Sequence, residues 1–582
     1  MLQCLALLTL ILLALLLPFE LENAWLDLGP LLLTNVELVL WLALALALLD
    51  WWLAGWPRPP LPRRWLVAGL LFLGALFLSA LLAPDFRANA FKAALRTASG
   101  MALTLAVSLT AGISQTGRTP RTVIWLATAL VCGGVVAAIL GLAEIIYGTD
   151  FEWLVALRVV PTVVGPFLRL TGPFDYANQA AMYFEATLPL LLTLVWKAIQ
   201  ARRRLLALLG AAAILLYIEA IAYTFSRASF VTVIFVLGTV ALLLWWPGRR
   251  LRRLPERLPD QLPLLFAAGG LLVLLLIAVN ILLNPLFRLR FQSESDNDWY
   301  LVHFQVPAEL VLTAGEEELV PVTVTNDGAF TWRTAGSTPV NLAARWVQPA
   351  SGRELSRRPR WPLTQAVAPG ESLKMEIPVR APREGGRYRL VWDMVQEYVI
   401  WFSAKTGQET ATTVIVMGTA PAEQAAGNDS SSETFEEAWV YAAPIPGRLL
   451  LWRAAWQLWR ARPLLGVGLD NYRLLYGRPL EYESWNTNIH SNNWYIETVV
   501  SVGLLGSLPF FFLLAFFLWD GLRTFGRPGV SVWQASVAAG LLAYMVHGLL
   551  DYFLLFNATG LLFWLLLGLW LALRPVTDRA TS

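Results

Sequence analysis

Charge, histidine and cysteine are what this sequence has least of. Of 582 residues only 15% are Asp, Glu, Lys or Arg, three are histidine and two are cysteine. Cys4 and Cys132 both lie in apolar runs, which excludes a disulfide framework and any metal-ligating cysteine spacing. His303, His490 and His547 stand far apart, without HxxxH or HExxH spacing, so neither a metal nor another cofactor is expected. A net charge of +3 gives no basis for a nucleic-acid partner.

What remains is apolar. Hydrophobic residues make up 57% of the chain, with 27 tryptophans, a composition outside the soluble globular class. A hydrocarbon core of roughly 30 Å takes about 20 helical residues to cross. Runs of that kind recur about twelve times, near 3–18, 31–54, 65–83, 92–113, 122–146, 179–199, 204–224, 227–246, 263–283, 494–519, 532–553 and 557–573. The first has no basic residue before it and no small-residue cleavage site after it, so it reads as a membrane helix rather than a signal peptide. The expected fold class is therefore an all-α polytopic membrane protein.

Arginines mark every second loop: Arg58, Arg63 and Arg64; Arg118 and Arg121; Arg202 to Arg204; Arg249 to Arg257; Arg523 and Arg527. Basic residues resist translocation, so these loops are expected in the cytoplasm and the alternate ones outside. On that assignment the localisation is a multi-pass cytoplasmic (inner) membrane protein with a large extracytoplasmic loop.

That loop interrupts the apolar pattern. Val320, Val322 and Val324 alternate with polar residues before "NDG"; Leu373, Met375, Ile377 and Val379 follow "APG"; Tyr388, Leu390, Trp392 and Met394 follow "EGG". Short period-two runs between turn signals predict an inserted β-sandwich, and its pieces resemble immunoglobulin-like modules. The expected organisation is a transmembrane region over 1–290 (about nine helices), the sandwich over 298–418, a flexible linker over 419–445, an external loop with an amphipathic helix over 446–493, and a transmembrane region over 494–582 (about three helices). In "GRLLLWRAAWQLWRARP" (447–463) tryptophans recur at helical spacing with Arg448, Arg453 and Arg460 between them, as in helices that lie in a membrane interface.

Three outward stretches carry candidate chemistry. "FLRLTGPFDYANQ" presents Arg169 and then Asn178 at the start of a span, and "YTFSRASF" presents Arg227 in a tight hairpin. Two guanidiniums on separate hairpins can chelate a diphosphate through bidentate charge-assisted bonds. "SWNTNIHSNNWYIE" holds His490, whose ordinary proton affinity suits acid-base work near neutral pH. Asn486, Asn488, Asn492 and Asn493 around it can orient the ring, bind a hydroxyl-rich substrate or cap the helix beginning near Trp494. His547 and Asp551 are four apart and are expected to pair on one helical face.

Beyond these features, "RLTGPFDYANQAAMYF", "TFSRASF" and "RPLLGVGLDNY" followed by "HSNNWYIETVVSVGLLG" resemble the bacterial O-antigen ligase and polysaccharide polymerase superfamily. The resemblance implies a GT-C-like membrane glycosyltransferase that takes a glycan from a polyprenyl-diphosphate carrier and passes it to a lipid, glycan or protein acceptor hydroxyl, metal-independent and inverting. It implies that Arg169 and Arg227 bind the donor diphosphate and that His490 is the catalytic base. Asn178, Asn488, Asn492, His547 and Asp551 are supporting candidates. The competing readings are a polymerase of the same superfamily, a polysaccharide or lipid-carrier transporter, and a surface binding protein merely anchored by its helices.

Overall fold

The structure is a computed structural model that describes residues 2–21, 23–27, 32–55, 61–111, 121–147, 154, 157, 162–164, 167–250, 262–283, 299–335, 339–348, 359–397, 400–419, 446–482, 485–525 and 531–574. The predicted linker over 419–445 lies outside the described residues except at its first position.

Apolar runs with few helix breakers become helices. The first set is α1 (Leu2–Leu16), α2 (Asn35–Leu53), α3 (Arg63–Leu81), α4 (Arg87–Ala111), α5 (Arg121–Tyr147), α6 (Ala177–Gln200), α7 (Arg204–Tyr223), α8 (Arg227–Arg250) and α9 (Leu262–Leu283). Short strand pairs β1 (Leu26–Asp27) with β2 (Leu32–Leu33), and β3 (Val163–Val164) with β4 (Phe167–Leu168), lie in the connections. After the β-rich segment come α10 (Phe402–Thr406), α11 (Arg448–Ala461), α12 (Tyr472–Leu475), α13 (Trp494–Phe525), α14 (Val532–His547) and α15 (Asn557–Ala572). Among the described residues, eight helices are long and apolar enough to cross a membrane: α2 to α7, α9 and α13. Four shorter apolar helices, α1, α8 up to Leu243, α14 and α15, pack with them in one core.

Polar contacts mark the two ends of this bundle. At one end Arg64 pairs with Asp520, which also meets Arg574 at 3.5 Å. These residues sit at the start of α3, near the end of α13 and just after α15. At the other end Asn89 donates to Asp470 and Asn471, each at 3.1 Å, and Asn178 donates to Asp551 at 2.7 Å. Helix starts and ends segregate as an up-and-down arrangement requires.

The longest helix, α13, is broken. Gly503 has φ 60° and ψ −166°, a conformation that only glycine adopts without strain. The break removes two i→i−4 bonds, freeing the carbonyls of Val500 and Ser501 and the N–H groups of Leu504 and Leu505. Residues 463–468 take up all four groups. Val467 and Gly468 donate to Val500 and Ser501 at 3.0 and 2.9 Å, while Leu504 and Leu505 donate to the carbonyls of Pro463 and Leu464 at 2.9 and 3.0 Å. A Cβ on Gly503 would lie 2.3 Å from the Leu464 carbonyl carbon, and one on Gly466 2.5 Å from Ser501 backbone. The glycines of "PLLGVG" and "VGLLG" thus permit two backbones to touch where irregular structure must be buried in protein.

The predicted β-region forms two sheets. One has the order β10 (Ser372–Arg380), β7 (Glu317–Asn326), β5 (Val302–Gln305); the other is β6 (Glu309–Thr313), β13 (Thr410–Met417), β11 (Gly386–Gln396), β8 (Val340–Val347), β9 (Arg360–Pro362), with β12 (Ile400–Trp401) beside β11. The apolar positions read from the sequence all point inward: Val320, Val322, Val324, Leu373, Met375, Ile377 and Val379 meet Tyr388, Leu390, Trp392 and Met394 in one core separate from that of the helices.

Candidate active site

Loops at the Asn89 end surround a cleft of about 870 Å³. Its lining includes Arg169, Asn178, Asn488, His490, Asn492 and Asp551, so six of the eight residues singled out in the sequence come together. Arg227 and His547 are not among the lining residues.

His490 owes its position to the start of α13. Asn493 caps that helix, its Oδ1 accepting the Ile496 N–H at 2.9 Å and its Nδ2 donating to the Leu549 carbonyl at 2.8 Å. The capping role expected of the asparagine cluster falls to this residue. One turn on, the fully buried Glu497 receives His490 Nδ1 at 3.1 Å on Oε1 and the Ser491 N–H at 2.8 Å on Oε2. With Nδ1 committed to the carboxylate, Nε2 is the ring nitrogen available to the cleft. Burial of the ring acts to lower its proton affinity, but the charge and hydrogen bond of Glu497, with a further push from Asp470, more than offset it, leaving the pKa above the ordinary 6.5. Tyr552 packs against the imidazole with ring centroids 4.9 Å apart.

Arg169 also lines the cleft; its Nε donates to the Thr224 carbonyl at 2.7 Å and its Nη2 donates to Asn178 Oδ1 at 2.7 Å. Asn178 passes the chain on to Asp551 at 2.7 Å. One side chain therefore fastens the α7–α8 hairpin to α6, and Asn178 ties both to the segment after α14. Arg227 opens α8 three residues beyond the carbonyl that Arg169 holds.

The expected pairing of His547 with Asp551 is corrected here. Helix α14 ends at His547, so four-residue helical spacing does not carry on to Asp551. His547 Nδ1 instead meets the buried carboxylate of Glu185, whose Oε2 accepts from Ser229 at 3.0 Å. This contact clamps α14, α6 and the first turn of α8.

The lining also includes residues that sequence reasoning passed over as functional candidates: Lys92 and Arg96 on α4, Arg448 at the start of α11, and Asp470 with Arg473. Arg473 is occupied by a two-pronged bond to Asp470 at 2.7 and 2.8 Å, and Arg96 gives its Nε to Glu37 at 2.9 Å. Lys92 and Arg448 are exposed and have no carboxylate partner among the described residues. The signal that was present for α4 is "KAALR", two cations four apart on one helical face. Glu497 had none, since an acid in a first turn ordinarily reads as a partner of the helix dipole.

Fold and site together define a multi-pass membrane protein with a polar cleft, rich in cations, at one end of its bundle. A family model described as O-antigen ligase matches residues 394–511, about a fifth of the chain and the part that carries His490, Glu497 and the repaired break. Through this segment the chain is similar to the O-antigen ligase family. No curated protein matches. Among solved structures, the Pseudomonas fluorescens alkylpurine DNA glycosylase AlkC, bound to DNA containing an abasic site analog, aligns at 14% identity over 61% of this chain and 100% of that one. Its TM-score of 0.14 carries no argument.

Proposed function

We propose that this protein is a GT-C-like glycosyltransferase that moves a glycan from a polyprenyl-diphosphate carrier to an acceptor hydroxyl at the outer face of the cytoplasmic membrane, with all twelve apolar helices spanning and an immunoglobulin-like β-region on the same outer side. The observation that carries this reading is one cleft whose lining combines a carboxylate-backed histidine with several cations. The outward orientation draws support from the arginines Arg64, Arg202, Arg203, Arg523 and Arg574 at the opposite helix ends.

In this reading Arg169, with Lys92 and Arg448 of the same cleft lining, neutralises the diphosphate, and Arg227 supports it from the hairpin that Arg169 grips. Positioned cations stabilise the charge that develops as the leaving group departs. His490 Nε2 takes the proton of the acceptor hydroxyl. The acceptor oxygen bonds to the anomeric carbon as the carbon–phosphate-oxygen bond breaks, the electron pair leaves on the diphosphate, and in-line attack inverts the centre. Glu497 holds the ring in one tautomer and stabilises the imidazolium that forms.

The test is transfer by the purified chain from a polyprenyl-diphosphate glycan, offered either a lipid acceptor or a second carrier-linked glycan. Product on the lipid defines a ligase; chain growth on the carrier defines a polymerase. Full turnover by both His490→Ala and Arg169→Ala would end the assignment, as would carrier flipping in liposomes with no new glycosidic bond.

A further inference from the structure

Helix α11 has two faces, and only one is accounted for by the fold. Leu451, Ala454 and Ala455 are buried against Tyr472, Tyr476, Ile489 and Val500. On the opposite side Leu449, Arg453, Trp456 and Arg460 follow one another at i, i+4, i+7 and i+11, a single narrow stripe. Leu449 is 78% exposed and Trp456 56%, and both arginines are exposed.

What lies beside this stripe identifies its partner. Just past the end of α11, Leu464 is 57% exposed, and the carbonyls of Pro463 and Leu464 hold the N–H groups of Leu504 and Leu505. From those residues an outward apolar strip, Leu504, Leu505, Leu508 and Phe512, runs down the candidate span α13. Arg462 Nη1 also bonds the Leu82 carbonyl at 2.9 Å, where α3 ends with Leu81 and Leu82 exposed. The stripe thus continues the apolar side of the bundle at its rim, and there its composition changes from all-apolar to alternating apolar and arginine. That is the chemistry of a boundary between acyl chains and phosphate headgroups.

We infer that α11 docks on the lipid headgroup layer, with Leu449 and Trp456 entering the acyl boundary and Arg453 and Arg460 bound to the phosphates of anionic phospholipids. The same helix holds the His490 loop: Trp452 Nε1 donates to the Ser491 carbonyl at 3.0 Å, and the Tyr472 hydroxyl to the Leu451 carbonyl at 2.7 Å. The headgroup layer therefore sets the height at which the cleft sits above the bilayer. This docking does not depend on the transfer reaction.

The experiment uses the full chain, with Cys4 and Cys132 replaced by serine, in nanodiscs of phosphatidylcholine alone or with phosphatidylglycerol. A nitroxide is placed singly by Leu449→Cys, Trp456→Cys or, as an aqueous control, Leu319→Cys, which is 63% exposed in the β-region. In discs containing phosphatidylglycerol, labels at 449 and 456 should be severalfold less accessible to an aqueous nickel complex than the label at 319, and more accessible to oxygen. Arg453→Glu with Arg460→Glu should abolish that protection, as should about 1 M salt, which shortens the screening length to about 3 Å. Equal nickel accessibility at all three positions in both disc types overturns the inference. So does protection that appears only when two copies share one disc, which would assign the stripe to self-association.

Discussion

Glu497→Gln isolates the electrostatic part of the His490 arrangement while keeping its shape. The carboxylate now accepts from His490 Nδ1 at 3.1 Å and from the Ser491 N–H at 2.8 Å; glutamine retains one acceptor and loses the charge. A hydrogen bond to a charged group contributes about 1.5–3 kcal/mol and a neutral one about 0.5–1.5. The imidazolium that forms as the acceptor loses its proton should then be less stabilised by roughly 1–1.5 kcal/mol, a fall in rate of about 5- to 13-fold. The sign of the pH effect follows from the cause of the shift. Because the Glu497 charge raises the pKa of His490, the base form in the unsubstituted chain appears only above an apparent pKa higher than 6.5, and activity should rise with pH through that value. Glu497→Gln should move this acid limb to lower pH, so the variant is least impaired in acid. The assay is initial-rate transfer in proteoliposomes across the acid to alkaline range, with thermal unfolding as a control for folding. If the two profiles superimpose in both height and position, Glu497 does not act through His490 and the base assignment loses its support.

Three further outcomes are expected. Arg169→Lys keeps the charge but loses the planar fork; the KM for the lipid donor should rise about 10-fold or more, and a KM unchanged in transfer kinetics would contradict its role. Gly503→Ala should cost at least about 1–3 kcal/mol from backbone strain alone, and more because of the Leu464 contact, read as a lower unfolding temperature together with lost transfer. In the β-region, burial pushes the Asp393 carboxyl up to about 6 from 3.8, against hydrogen bonds from Ser403 and the Met394 N–H. Its protonated form therefore favours the fold: that contribution is complete below 3.8 and lost as pH rises through 6. Asp393→Asn should stabilise the β-region at pH 7 by up to about 3 kcal/mol and have little effect near pH 4, which calorimetry of the whole chain can resolve.

Much of the architecture was legible because its causes are local. Apolar length gave the helices, period-two alternation gave Val320 to Val324 and Leu373 to Val379 their inward faces, and the 447–463 stretch announced α11 by its spacing. Partner choice was less legible, because it depends on where distant segments meet. The four residues between His547 and Asp551 look like one helical turn, yet the helix stops at the histidine and Glu185, 362 positions away, takes its nitrogen. Arg227 was read correctly as the mouth of a hairpin, but whether a side chain lines a cleft depends on packing that spacing does not encode. Lys92 and Arg448 join the cleft from opposite directions along the chain, and neither has a sequence neighbour that reveals the other.

The repaired break in α13 also constrains how the chain is made. Its exposed peptide groups find partners only in a stretch translated some 35 residues earlier, so that stretch must already have emerged and lie waiting when the helix enters the lipid. Insertion of this span is thus completed by a docking event rather than by hydrophobicity alone. A mutation at "PLLGVG" would accordingly be felt first as a maturation defect, before any substrate is met.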